Sequence, residues 1–122
     1  MRAMTDEECR RFLLEGTRTG KLAVTRRDGT PYVLPVWFVL DGDVVVLTTG
    51  AETVRGRSLR RDGRASMCVD EDEPSYSFVR INGRVRLSED LAGMRRWARA
   101  IGARYMGEEV ADRFADRNAV PG

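Results

Sequence analysis

The sequence predicts a single domain that is mainly β with helices, arranged as a partly closed antiparallel barrel. Five or six short apolar segments follow one another, separated by turn residues such as Asp28-Gly29 and Asp41-Gly42-Asp43. Helical periodicity predicts helices at the two ends of the chain and in one short central segment. A chain of 122 residues, 42% of them hydrophobic, builds one core and not two. We therefore treat residues 1–122 as one domain.

The first elements are a helix and a hairpin. The spacing from Thr5 to Glu8 is that of a capping box, and the helix it begins is expected to end near Gly16. A strand follows over Gly20–Thr25. The pair Asp28-Gly29 favours positive φ, so it predicts a tight turn into a second strand over Thr30–Leu40.

This second strand is apolar on both faces. One face carries Tyr32, Leu34, Val36, Phe38 and Leu40, and the other carries Val33, Pro35, Trp37 and Val39. The barrel interior covers one face. The other face needs a helix, a cofactor or a second subunit, because apolar patches of this size rarely stay exposed to water. This pattern favours a dimer.

The central segment joins an apolar strand to a group of arginines. The strand is Val44–Thr49, and a short helix carrying Arg55, Arg57, Arg60 and Arg61 follows it. Guanidinium groups bind phosphate through paired, charge-assisted hydrogen bonds. By itself the segment is equally compatible with a site for an anionic cofactor and with a solvated surface helix.

The second half of the chain predicts two more strands. One covers Arg64–Asp70, an acidic loop ends at Pro74, and a long strand or bent pair covers Ser75–Ser88 with a bulge at Gly83. From Ser88, a candidate N-cap, helical spacing relates the apolar residues Leu91, Met94, Trp97, Ala98, Ile101 and Tyr105, and continues through Val110 and Phe114. These residues, Trp97 included, are expected in the core.

Composition excludes several classes of function. With 21 basic and 19 acidic side chains, the net charge of +2 does not favour nucleic-acid binding. No apolar run reaches the roughly 20 residues of a membrane span, so we expect a cytoplasmic protein. The chain has no histidine, and Cys9 and Cys68 form no CxxC pair, so we expect two buried thiols and no metal site.

Two segments, GKLAVTRRDGTPYVLPVWFVLDGDVVVLTT and ETVRGRSLRRDGRASMCVD, carry a family resemblance. They resemble the flavin and deazaflavin oxidoreductases of the split β-barrel fold, whose founding relatives are pyridoxamine 5′-phosphate oxidases. The likeness spans about residues 6 to 88 and is greatest to the branch that uses the deazaflavin coenzyme F420, often found in actinobacteria. It implies an FMN-binding-like, dimeric split barrel.

The resemblance also implies a set of cofactor contacts. The ring system would lie against Lys21, Leu22 and Ala23 of the first strand and against Pro35, Val36 and Trp37 of the second. Thr48 and Thr49 would follow the ring edge and ribityl chain, while Arg55 and Arg57, with Ser58 and Leu59 next to them, would hold the phosphate. Tyr76 and Phe78 would approach the cofactor at the subunit interface of a homodimer. An aromatic residue such as Trp37 is more often a packing residue than a ring contact.

The activity implied is hydride transfer from reduced F420 to a small, electron-poor organic substrate. The same fold using FMN is one alternative, and a non-catalytic protein that binds a flavin or tetrapyrrole is another. Additional arginines such as Arg60 and Arg61 slightly favour F420, which carries a polyglutamate tail. No catalytic residue is identified, and the closing proton comes from water or from Tyr76.

The chain ends at Gly122, before the final strand that usually completes the barrel in the family. Either this strand is absent or the protein is naturally short. If it is absent, an unpaired sheet edge is expected, and the site contacts from that strand are lost.

Overall fold

The structure is a computed structural model that describes residues 3–74 and 76–119. In chain order, its elements are α1 (Asp6–Leu14), β1 (Gly20–Thr25), β2 (Pro31–Val36), β3 (Val39–Asp41), β4 (Val44–Val46), α2 (Val54–Arg61), β5 (Arg64–Asp70), β6 (Phe78–Arg84), α3 (Leu91–Met106) and α4 (Glu108–Asn118). An antiparallel sheet has the order β2-β1-β5-β6, and β3 and β4 form a separate hairpin. The predicted antiparallel fold with helices is confirmed, although the helices contain more residues than the strands.

Local signals placed the first elements correctly. Thr5 Oγ1 accepts a hydrogen bond from Glu8 N at 3.1 Å, and Glu8 Oε1 accepts one from Thr5 N at 3.0 Å, which completes the capping box. Gly29 has φ of 88° in the turn between β1 and β2. The hairpin register runs without interruption from Gly20 opposite Val36 to Thr25 opposite Pro31.

The predicted strand Thr30–Leu40 is in fact two strands, β2 and β3, which belong to different sheets. The break lies at Trp37 and Phe38. Phe38 N donates to Tyr105 Oη at 3.4 Å, and Phe38 O accepts from Arg104 Nη1 at 2.8 Å. Side chains of α3 therefore satisfy a backbone that a continuous strand would have paired within the sheet.

The two apolar faces of this segment differ in exposure. Val36 and Phe38 belong to the core, and Phe38 is fully buried. On the opposite face Val33 and Pro35 are exposed, and Trp37 retains 38% of its accessible surface. On this face Trp37 packs against Tyr105 of α3 and Phe114 of α4, whereas Val33 and Pro35 are left exposed among the described residues.

Three later predictions need correction. The strand Val44–Thr49 ends at Val46, because the following residues leave the hairpin to contact α2. No bulge occurs at Gly83, which pairs with Ala65 in an unbroken β5–β6 register. The strand predicted over Ser75–Ser88 is limited to β6, and Ser75 lies outside the described residues.

The C-terminal helices form a hairpin whose close packing depends on Gly102. A Cβ atom at this position would lie 2.9 Å from Phe114 Cβ, so α4 approaches α3 too closely for a larger residue. Asp90, and not Ser88, is the N-cap of α3, and its Oδ2 accepts from Gly93 N at 3.2 Å. Trp97 is half-buried, with the Arg96 guanidinium 4.4 Å from its ring centroid. It is therefore at the margin of the packed region and not in the core.

Two remaining expectations concern the cysteines and membrane association. Cys9 and Cys68 are free thiols. Both are half-buried, whereas buried thiols were predicted. Among the helices of the described residues, none has the length and apolar character of a membrane span.

Candidate cofactor site

An open cleft of about 260 Å³ lies where β2 ends. Its walls come from β2 and the adjoining break, from the segment around the start of α2, and from α3 and α4; they comprise Pro35, Val36, Trp37, Thr48, Arg55, Ile101, Phe114 and Asn118. The first five were predicted as cofactor contacts. The structure thus brings together residues from the second predicted strand and from the arginine segment.

Arg55 is the charged group of this cleft, and its side chain is half-buried. Its Nε donates to Thr49 Oγ1 at 2.8 Å, and its Nη2 donates to the Thr48 carbonyl oxygen at 3.2 Å. Burial lowers the pKa of Arg55, an effect that Tyr32 partly opposes. A guanidinium stays protonated in proteins despite such a shift.

The partners of Arg55 are neutral. None of the ion pairs found among residues 3–74 and 76–119 includes it. Its two hydrogen bonds use two of the five N–H groups of a guanidinium, which leaves three without a partner among those residues. Arg55 is therefore an oriented cation whose charge is not neutralised by the neighbouring protein.

The segment Thr48–Thr53, called here the threonine loop, folds back over the first turn of α2. Thr53 is the N-cap of α2, and its Oγ1 accepts from Gly56 N at 3.0 Å. The same hydroxyl donates to the Gly50 carbonyl oxygen at 2.7 Å and lies 3.3 Å from Thr49 Oγ1. This network holds Thr49, and through it the Arg55 side chain.

Arg57 has a different environment from Arg55. Its Nη2 lies 2.8 Å from Glu52 Oε2, and the side chains are 65% and 78% exposed, respectively. Arg57 does not line the cleft. Exposed pairs of this kind contribute about 0–1 kcal/mol, so the contact is easily exchanged for another anion.

Three predicted contacts do not line the cleft. Leu22 and Leu59 belong to the hydrophobic core, and Ser58 is 2% exposed. Their side chains are therefore occupied by protein packing. None of the three lines the cleft, so their contact with a cofactor stays a prediction.

Lys21 and Ala23 lie on the outer face of β1, opposite Pro35 and Val33 of β2, and do not line the cleft. Lys21 Nζ pairs with Asp70 Oδ1 at 2.8 Å. Ala23 lines a second, wider groove of about 510 Å³, in which Ser66 Oγ donates to Asn82 Oδ1 at 2.6 Å. The described chain does not bring these two residues into the cleft.

Tyr76 and Phe78 also lie apart from the cleft. Both are exposed, at 63% and 48%; Tyr76 precedes β6, and Phe78 is the first residue of β6. Tyr76 has φ of 57°, in the left-handed region that is uncommon for a residue with a side chain. Neither residue lines the cleft of its own protomer.

The helical wall of the cleft was not anticipated as part of the site. Trp37 stacks on Tyr105 with ring centroids 5.0 Å apart and planes at 2°, and on Phe114 at 5.7 Å and 30°. Trp37 therefore packs within an aromatic cluster while it also lines the cleft. Helical periodicity placed Phe114 in the core, and no pattern in the sequence singled out Asn118.

The fold and the cleft define an antiparallel split barrel of the flavin-binding type. The chain belongs to the pyridoxamine 5′-phosphate oxidase family, whose sequence profile matches residues 5–121. The predicted family and fold are therefore confirmed, and the family supports a flavin-type oxidoreductase. No curated protein was found to match the sequence.

Several solved structures are similar. Conserved hypothetical protein Rv2991 from Mycobacterium tuberculosis superposes with a TM-score of 0.83 at 25% identity, over 95% of this chain and 75% of that one. A protein described as an F420 reductase has a TM-score of 0.67 at 30% identity, over 78% and 75% of the two chains. A heme-binding protein from Mycobacterium smegmatis has a TM-score of 0.64 at 25% identity, over 87% and 48%.

Proposed function

We propose that this protein is an oxidoreductase that binds coenzyme F420 in the cleft and reduces a small, electron-poor organic substrate. The observation that carries the proposal is Arg55, a half-buried and oriented cation with neutral partners. A phosphate neutralises such a charge and accepts bidentate hydrogen bonds from it. Arg57 supplies a second contact when it leaves Glu52.

The rest of the cleft suits the other end of the same ligand. Pro35 and Trp37 give an apolar surface next to the polar end formed by Thr48 and Arg55. A flat ring with an anionic tail matches this division. When bound, the reduced cofactor supplies the hydride, while the protein binds and orients the reactants.

We further propose that a second copy of the chain completes the site. The cleft, at about 260 Å³, is smaller than the roughly 300–1,000 Å³ of typical ligand pockets, so it encloses only part of a ligand. The exposed Val33 and Pro35 lie on the uncovered outer face of β2. In a homodimer this face is covered, and the partner contributes Tyr76 and Phe78. The free thiols suit a cytoplasmic location.

Similarity to an F420 reductase at 30% identity favours F420 over FMN. The number of arginines carries less weight than the sequence suggested. Arg60 pairs with Glu89 at 2.7 Å, and Arg61 donates to the Thr25 carbonyl oxygen at 3.2 Å, so both have protein partners.

FMN is the second candidate, because the family profile is that of the pyridoxamine 5′-phosphate oxidases. A heme-binding neighbour keeps tetrapyrrole binding as a third function to test. The chain lacks histidine, a common proximal ligand of heme iron, which argues against that third function.

A fluorescence titration tests the choice of cofactor. The chain has two tryptophans, Trp37 in the cleft and Trp97 on α3, so the Trp97→Phe variant isolates the signal of the cleft. It is titrated in parallel with oxidised F420, FMN and hemin. Quenching by F420 at a lower concentration than by FMN or hemin supports the proposal. Quenching by FMN at the lowest concentration supports FMN, the second candidate, instead. If none of the three quenches Trp37, cofactor binding in this cleft is wrong.

A further inference from the structure

We infer that Gly56 is a positioning residue for the anion-binding end of the cleft. Because position 56 has no side chain, the threonine loop lies directly on α2 and orients Arg55. The inference depends on the proposed function only for the identity of the ligand. The orientation of Arg55 by Gly56 depends only on contacts within the protein, whichever ligand binds.

Gly56 is buried beneath the backbone of the threonine loop. A Cβ atom at this position would overlap the Gly50 carbonyl oxygen and would lie 3.1 Å from the Ala51 carbonyl oxygen. Both obstacles are backbone atoms, which cannot rotate aside as the end of a side chain does. The requirement for glycine is thus the close approach of two backbones, and any larger residue displaces the loop.

The same carbonyl group connects Gly56 to the ligands of Arg55. Gly50 O accepts hydrogen bonds from Thr53 Oγ1 at 2.7 Å and from Thr53 N at 3.3 Å. Thr49, the residue before Gly50, provides the hydroxyl that accepts from Arg55 Nε at 2.8 Å. A shift of Gly50 therefore moves the principal acceptor that fixes the guanidinium.

The predicted loss of affinity is limited to ligands that carry a phosphate. Displacement of the threonine loop removes the contact that orients the Arg55 side chain. A ligand must then order this side chain when it binds. Ordering one such side chain costs about 0.5–1.5 kcal/mol, which corresponds to roughly twofold to tenfold weaker binding. A ligand without phosphate does not use this contact, and its affinity should change by less than about twofold.

The test compares Gly56→Ala with Gly63→Ala. At position 63 an added Cβ would have only an ordinary contact, 3.9 Å from the Val85 carbonyl oxygen, which makes it the matched control. Two probes, FMN and riboflavin, differ by the phosphate, and calorimetry gives the affinity of each variant for both. Independently of any ligand, NMR follows the Nε–H resonance of Arg55, assigned with the Arg55→Lys variant.

The inference predicts that Gly56→Ala exposes the Arg55 Nε–H to exchange and weakens the binding of FMN about twofold to tenfold, with the binding of riboflavin unchanged. Thr49→Val, which removes the acceptor without any overlap at position 56, should give the same pattern even if Gly56→Ala folds poorly. Equal losses for FMN and riboflavin, or an unchanged Arg55 resonance, would overturn the inference. If the wild-type protein binds neither flavin nor F420, the phosphate role fails with the proposed function, while the NMR result still decides whether Gly56 positions Arg55.

Discussion

Replacing Arg55 by methionine tests the anion-binding end of the cleft most directly. Methionine keeps much of the length of the apolar stem and removes the charge. The lost bonds to Thr49 Oγ1 and the Thr48 carbonyl oxygen are both to neutral acceptors, so no carboxylate is left unpaired. We therefore expect a modest loss of stability, of about 0.5–1.5 kcal/mol for each hydrogen bond.

The expected loss of ligand affinity is larger. Three N–H groups of Arg55 have no partner among the described residues, which is enough for a bidentate contact with phosphate. A hydrogen bond to a charged group contributes about 1.5–3 kcal/mol. The loss of even one such bond should therefore weaken the binding of F420 or FMN roughly tenfold to hundredfold. Isothermal titration calorimetry at fixed ionic strength measures this change.

Arg57→Met is the control within the same helix. Arg57 is 65% exposed and paired with Glu52, so its removal should reduce affinity by only a few-fold, within the roughly 0–1 kcal/mol of exposed pairs. Wild-type affinity in Arg55→Met, or equal losses in the two variants, would refute the reasoning that burial and neutral partners select the anion-binding arginine.

Three further predictions follow from the packing around the cleft. Gly102→Ala should lower the free energy of unfolding by about 1–3 kcal/mol in denaturant titrations, because its Cβ would overlap the Phe114 side chain; an equally stable variant would show that α4 shifts freely. Burial raises the pKa of Tyr105 above its unfolded value, so its neutral form favours the folded state, and stability should fall as the pH rises above about 10. Tyr105→Phe should show a smaller alkaline loss in pH-dependent unfolding, and an identical profile would contradict that assignment. Val33→Glu, on the uncovered face of β2, should convert a dimer to a monomer in sedimentation velocity; a monomeric wild type would exclude the homodimer.

The elements predicted correctly are those whose causes are local in the sequence. The capping box at Thr5 and the Asp28-Gly29 turn fixed α1 and the first hairpin, and β5 has the predicted bounds Arg64–Asp70. The break between β2 and β3 has no such local cause. It depends on Arg104 and Tyr105, which reach Phe38 from 66 and 67 residues away.

The same distinction applies to the cleft. Its strand and loop residues follow one another within a short stretch of chain and were predicted together. Phe114 and Asn118 enter the cleft only because α4 folds back on α3, and this depends on the close contact at Gly102. Helical periodicity identifies the apolar side of α4, but it contains no information about which other element that side meets.

The sequence presents the arginines between Arg55 and Arg64 as one group, and the structure divides them by their partners. Arg57, Arg60 and Arg64 pair with Glu52, Glu89 and Asp62, respectively, and Arg61 donates to a backbone carbonyl while it stays exposed. Arg55 combines partial burial with neutral partners, so its charge is both less solvated and not compensated. Burial without a counter-charge is unfavourable, and an anionic ligand relieves this cost only at Arg55 within this group. We therefore expect the environment of each guanidinium, and not the density of arginines, to decide which one binds an anionic ligand.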